Sequence, residues 1–114
     1  MNIANSKIVD IRLPSEWLEF GILEGSHLIT YENLSGKVNP LFVSSVENIF
    51  KKDDEFYLMC ATANRSKDAM KLLQKHGFKN VKEIRGGAYY YEKMGAKFDK
   101  FELSTLLFGK YDKN

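Results

Sequence analysis

A chain of 114 residues, 44% hydrophobic and without repeats or low-complexity stretches, fits one small domain with a single core. Its 17 basic and 15 acidic residues leave a net charge of +2, which gives no reason to expect nucleic acid or a membrane surface as partner. One cysteine excludes an internal disulfide framework; no apolar run approaches a transmembrane length, and the opening Met1-Asn2-Ile3-Ala4-Asn5-Ser6-Lys7 is too polar for a signal peptide, so a cytoplasmic location is expected.

The first predicted element is a short buried parallel strand over Lys7–Ile11, with Asp10 and Arg12 at its end, where open α/β sheets place functional groups. Pro14 suits the first position of a helix whose Trp17 and Leu18 face inward. Gly21 and Gly25 bracket a turn into a second strand, His27–Thr30, and His27 at its start reads as a structural histidine. From Val38 to Phe50 the residues Val38, Leu41, Phe42, Val46, Ile49 and Phe50 keep helical spacing, with Asn39 or Ser35 as the cap. The run Lys51-Lys52-Asp53-Asp54-Glu55 reads as a solvated turn of mixed sign.

The next strand, Phe56–Met59, leads into Cys60-Ala61-Thr62-Ala63-Asn64-Arg65-Ser66 and then into a helix in which Ala69, Leu72, Leu73 and His76 recur at i, i+3, i+4 and i+7. The single cysteine thus stands where a buried strand ends and a short loop enters a helix. A helix N-terminus offers unpaired N–H groups and the positive end of a dipole, which favour a thiolate. Small residues at 61 and 63 allow successive N–H groups to curl into an anion-binding nest, Arg65 adds a fixed positive charge, and Ser66 is expected as the N-cap. The competing reading is a cysteine that serves as a small buried hydrophobe.

Gly77 is the expected left-handed residue that ends this helix. A strand over Asn80–Ile84 follows, then the close turn Arg85-Gly86-Gly87 into a helix with Tyr89, Tyr90, Tyr91 and Met94, whose consecutive tyrosines cannot all face inward. Phe98, Phe101, Leu103, Leu106, Leu107 and Phe108 form an apolar-rich tail, expected to cover the sheet within the same chain. Alternating strand and helix patterns give the fold class: a single α/β domain with a mainly parallel sheet and helices on both faces.

Four stretches in order resemble the rhodanese-like domain family: Ile8-Val9-Asp10-Ile11-Arg12 with Pro14-Ser15-Glu16-Trp17, Ile22-Leu23-Glu24-Gly25-Ser26-His27, the loop from Cys60 to Ser66, and Val81-Lys82-Glu83-Ile84-Arg85-Gly86-Gly87. The resemblance spans residues 8 to 95 and implies a domain core over 7–95 with a C-terminal extension over 96–114. It implies that Asp10 lies near the loop, that Arg12 and Glu16 pair at the first helix, that Tyr91 replaces a core tryptophan, and that another tyrosine lines the rim of the cysteine pocket.

The activity it implies is sulfur transfer. Cys60 is the nucleophile that takes a sulfane sulfur from a donor such as thiosulfate and passes it from a persulfide to cyanide or a thiol. Ala61, Thr62, Ala63, Asn64, Arg65 and Ser66 bind the anionic group, with Arg65 either contacting the donor or locking the loop by an ion pair. No metal or organic cofactor is implied; the partners are small-molecule or protein sulfur donors and acceptors, for a monomer or weak homodimer. Ala61 and Ala63 depart from the arginine or lysine and the glycine that many thiosulfate-active relatives carry, and a missing charge beside a dianion weakens transition-state binding by on the order of 1 kcal/mol. Two alternatives stand beside sulfur transfer: a non-catalytic interaction module, and a phosphatase or arsenate reductase, whose loops hold five residues between cysteine and arginine where this chain has four.

Overall fold

The computed structural model of the protein describes residues 3–62 and 64–102. Strands β1 (Ile8–Asp10), β2 (His27–Leu28), β3 (Glu55–Met59) and β4 (Asn80–Glu83) form one parallel sheet in the order β2-β1-β3-β4. Between them run helices α1 (Pro14–Phe20), α2 (Phe42–Glu47) and α3 (Asn64–Lys75), and α4 (Gly87–Lys93) follows β4. Parallel neighbours require such crossovers, because the chain must return to the same end of the sheet before the next strand begins. Among the described residues no helix is long and apolar enough to cross a membrane.

The two-residue period of the strands sorts their side chains into two cores. Val9, Ile11, Phe56, Leu58 and Cys60 pack on one face with Phe42 and Val46 of α2 and Ala69 and Leu73 of α3. Ile8 and Met59 pack on the other with Leu23, Ile84, and Ala88 and Tyr91 of α4. Phe56 links the first core's aromatic groups, stacked on Phe50 at 4.3 Å and edge-on to Phe78 at 5.5 Å. Helices on both faces explain why the strands carry apolar residues on both sides.

Several local expectations are corrected. The helix expected over Val38–Phe50 shortens to α2, because Asn39 directs the chain into a turn first: its Oδ1 accepts the Leu41 N–H at 3.0 Å and its carbonyl accepts the Phe42 N–H at 3.0 Å. Leu41 and Val38 are consequently exposed. On α1, Trp17 is buried, whereas Leu18, one residue or about 100° further round the helix, faces solvent. The ladder of β2 covers only His27–Leu28, although the Ile29 and Tyr31 N–H groups still bond to Asp10 and Ile11. His27 is structural, its Nε2 2.9 Å from the Ser6 carbonyl and its ring edge-on to Phe50.

Helix α3 ends as its sequence indicates. Gly77 has φ +99°, its N–H bonds to the Gln74 carbonyl, and the Phe78 N–H bonds to the Leu73 carbonyl, a Schellman arrangement that satisfies two terminal carbonyls. The described part of the tail covers the sheet within the chain. Phe98 packs against the second core, Asp99 bridges Ile22, and Phe101 lies edge-on to Trp17 at 5.8 Å. Leu103, Leu106, Leu107 and Phe108 lie outside the described residues.

Candidate active site

Cys60 immediately follows β3, at the carboxyl end of an inner strand, where open α/β sheets leave a crevice. Two backbone bonds fix the loop's entry: Ala88 N–H donates to the Cys60 carbonyl at 2.7 Å and Tyr89 N–H to the Ala61 carbonyl at 3.1 Å. Gly87 makes this approach possible. A Cβ there would lie 2.6 Å from both the Cys60 and the Ala61 carbonyl oxygens, and its φ of +71° is left-handed. The double-glycine turn therefore seats the start of α4 directly against the cysteine loop.

At the far end of the loop α3 begins at Asn64, so Ser66 lies within the first turn and is not the N-cap expected from the sequence. Its buried hydroxyl instead donates to Glu83 Oε2 at 3.0 Å, while Lys67 Nζ bonds to Glu83 Oε1. Thr62 Oγ1 accepts from Asn64 Nδ2 at 3.1 Å, a contact that closes the exposed side of the loop. The N–H groups of Ala61, Thr62, Asn64 and Arg65 make no hydrogen bond among the described residues. Ala63 lies outside the described residues.

Arg65 forms a two-pronged ion pair with Glu16 of α1, both N···O distances 2.9 Å, and Glu16 Oε1 also accepts the Leu13 N–H. Burial raises the Glu16 pKa, but the Arg65 hydrogen bond, the Leu13 N–H and the charges of Arg65 and Arg12 outweigh it, so the carboxyl titrates below its ordinary value. Arg65 is raised, first by that hydrogen bond, against its own burial, and further by the charges of Glu16 and Cys60. The expected Arg12–Glu16 pair is not formed. Arg12 pairs instead with Asp10, at 2.9 Å and 2.8 Å, with its Nη2 also on the Gly21 carbonyl at 2.8 Å; both side chains are buried. Asp10 sits two residues away on the same strand end and needs charge neutralisation in the interior, so it takes the nearer guanidinium.

A cavity of about 250 Å³ opens beside the loop. Ala61 and Thr62 form one wall, Ala88, Tyr89 and Glu92 of α4 another, and Arg12, Phe20 and Phe98 close it. Tyr89 is thus the tyrosine at the rim, and Tyr91 packs in the core, as the resemblance implies. Cys60 itself is 1% exposed and stands one residue before the cavity wall. Phe20, Glu92 and Phe98 were not legible as site residues, because nothing local distinguishes them from other surface or core positions. Glu16 could have been matched to Arg65 only by charge, since 49 residues separate them. Among the described residues no three His, Cys, Asp or Glu side chains gather as metal ligands.

Comparison with known proteins agrees with this architecture. The family model for the rhodanese-like domain matches residues 1–94. The senescence-associated protein DIN1 of Raphanus sativus is 37% identical over 89 residues, 74% of this chain and 47% of that protein, so the chain spans about half the length of this curated relative. Among solved structures, a rhodanese-like domain from Anabaena sp. superposes with a TM-score of 0.67 at 22% identity, covering 82% of this chain and 97% of that one. A possible tyrosine phosphatase from Rhodopseudomonas palustris superposes with a TM-score of 0.59 at 29% identity, covering 81% of this chain and 69% of that one. With the family model matched over most of its length, from the first strand through the helix after the double glycine, the chain belongs to the rhodanese-like domain family.

Proposed function

We propose that the protein is a sulfurtransferase in which Cys60 carries a persulfide. The observation that carries this reading is the loop itself: a cysteine at the end of β3 followed by N–H groups of Ala61, Thr62, Asn64 and Arg65 with no other hydrogen-bond acceptor among the described residues. In the first step the Cys60 thiolate attacks the outer sulfur of a sulfane donor such as thiosulfate; the donor's S–S bond breaks and its electron pair leaves with sulfite. The terminal sulfur of the new persulfide is anionic, and these N–H groups would stabilise it as an oxyanion hole stabilises oxygen. Cyanide or a thiol then takes the outer sulfur and regenerates the thiolate. Arg65 holds the loop's exit through Glu16, the second of the two roles its sequence position suggested.

The experiment is intact-protein mass after incubation with thiosulfate, followed by cyanide and assay of thiocyanate. Wild type gains one sulfur that cyanide removes, and Cys60→Ser gains none. The burial of Cys60 favours one other reading, a non-catalytic interaction module in which the thiol is core packing. Wild type that gains no sulfur from thiosulfate, 3-mercaptopyruvate or a persulfide donor would overturn the enzyme reading in favour of that one. The likeness to a possible tyrosine phosphatase carries less weight here, because four residues between Cys60 and Arg65 make a tighter cradle than a tetrahedral oxyanion requires, and Arg65 is already engaged by Glu16.

A further inference from the structure

Between β2 and α2 the chain makes a tight excursion with a leucine at its tip. Asn33 and Gly36 close the turn: the Gly36 N–H donates to the Asn33 carbonyl at 2.9 Å, and Gly36 has φ +81°. Asn33 also fixes the turn through its other groups. Its N–H donates to the Lys37 carbonyl, and its Oδ1 accepts the N–H groups of Ser35 and Lys37, all at 2.9 Å. Below the tip Glu32 and Val38 pair as an antiparallel bridge. Leu34 belongs to neither core and is 89% exposed, the highest value for a large apolar side chain among the described residues. Turns favour Gly, Pro, Asn, Asp and Ser for backbone reasons that leucine does not share. An apolar side chain held out on a hydrogen-bonded turn suits docking, because little backbone freedom is left to lose when a partner covers it.

The same chain carries a receiving surface for such a side chain. The cavity of about 250 Å³ is lined by Phe20, Ala88, Tyr89 and Phe98, and Phe20 and Tyr89 are exposed at its rim. Charge is complementary as well. Lys37 at the base of the turn and Glu92 on the cavity wall are both exposed, and neither has an ion pair among the described residues. Leu34, being exposed, does not occupy the cavity of its own chain. Both features stand at the carboxyl ends of the strands. The Tyr31 N–H, at the root of the excursion, bonds to the Ile11 carbonyl just past β1, and the cavity is walled by Ala61 and Thr62 just past β3.

We infer that the protein self-associates as a two-fold dimer in which Leu34 of each copy enters the apolar cavity of the other, with Lys37 set against Glu92. Two copies whose sheets face each other by their carboxyl ends make the same contact twice, which closes the assembly and leaves neither leucine uncovered. Few side chains take part, so the interface lies below the standard size and the dimer is weak, with a Kd on the order of 100 µM. The net charge of +2 sets little long-range repulsion between copies. The dimer stands or falls independently of the reaction at Cys60.

The test is sedimentation velocity of the full chain from about 10 µM to about 1 mM, a range that brackets the expected Kd. Wild type is expected to pass from monomer to dimer across it. Leu34→Asp, at an exposed turn position, is expected to weaken the dimer about tenfold or more, and Phe20→Ala about fivefold, as loss of an apolar anchor and of part of its receiving wall implies. Lys37→Glu is expected to weaken it about threefold, and adding Glu92→Lys to restore it. Far-UV circular dichroism of each variant shows that the fold is kept. A wild type that stays monomeric at the highest concentration overturns the inference and leaves the leucine turn to a different protein. A dimer unchanged by Leu34→Asp overturns it by placing the interface elsewhere. A dimer that Leu34→Asp weakens, but that neither Phe20→Ala nor the charge exchange affects, overturns the cavity as the receiving site. Assemblies larger than a dimer overturn the two-fold arrangement.

Discussion

Ala61 and Gly87 control the cysteine loop in opposite ways. Ala61 leaves its side of the cavity uncharged, so Ala61→Arg should raise kcat/KM for thiosulfate by about five- to tenfold, the kinetic equivalent of on the order of 1 kcal/mol of charge-assisted binding. Steady-state thiocyanate formation checks this; an unchanged value would mean that donor charge is not sensed at that position. Gly87 admits no side chain against the carbonyls of Cys60 and Ala61. Gly87→Ala should therefore lose about 2 kcal/mol or more of stability in urea denaturation, together with persulfide formation, since strain and clash fall on the same backbone. The need for a glycine was legible in Arg85-Gly86-Gly87. What it makes room for was not, because the obstructing carbonyls belong to the cysteine loop after β3, distant in sequence.

Among the elements, α1 and α3 are joined by the Glu16–Arg65 pair, which ties the helix after the cysteine to the helix after β1. Glu16→Gln should cost about 1–2 kcal/mol at pH 7, because it removes a partly buried charge-assisted bond and weakens the acceptor for Leu13. The sign of its pH dependence follows from the lowered Glu16 pKa. The folded carboxyl titrates below the unfolded one, so the contribution is complete above the ordinary carboxylate value of about 4.3 and is lost as pH falls through the folded value. The stability difference between wild type and Glu16→Gln, measured by urea denaturation from pH 7 to 3, should stay level and then shrink; a difference that grew on acidification would refute the assignment. The expected Arg12–Glu16 pairing failed here for a physical reason. Sequence proximity offered Glu16 the guanidinium of Arg12, but Asp10, buried beside Arg12, claimed it, and the fold brought Arg65 from 49 residues away in its place.

At the scale of the whole molecule, the segment after α4 completes the second core. Phe98 packs against the core of Ile8, Leu23, Met59 and Ile84, and Phe101 is buried edge-on to Trp17. Phe101→Ala should destabilise the protein by about 3–5 kcal/mol, read both by urea denaturation and by the fluorescence of its single tryptophan. That is a large share of the 5–15 kcal/mol typical of a small domain. A loss under about 1 kcal/mol would show that the segment lies against the core without contributing to it.

The alternation of strands and helices, the end of α3 at Gly77, and the position of Cys60 between β3 and a helix, with four residues between it and Arg65, could all be read from the chain alone. These are local matters, set by two- and 3.6-residue periods and by residues with restricted or unusual backbone freedom. Packing settled that Arg65 pairs with Glu16, that Ser66 bonds to Glu83 in place of capping its helix, and that Phe20, Tyr89, Glu92 and Phe98 meet around one cavity. Those choices depend on which of several chemically equivalent partners packing brings within hydrogen-bond reach, and periodicity along the chain carries no information about that.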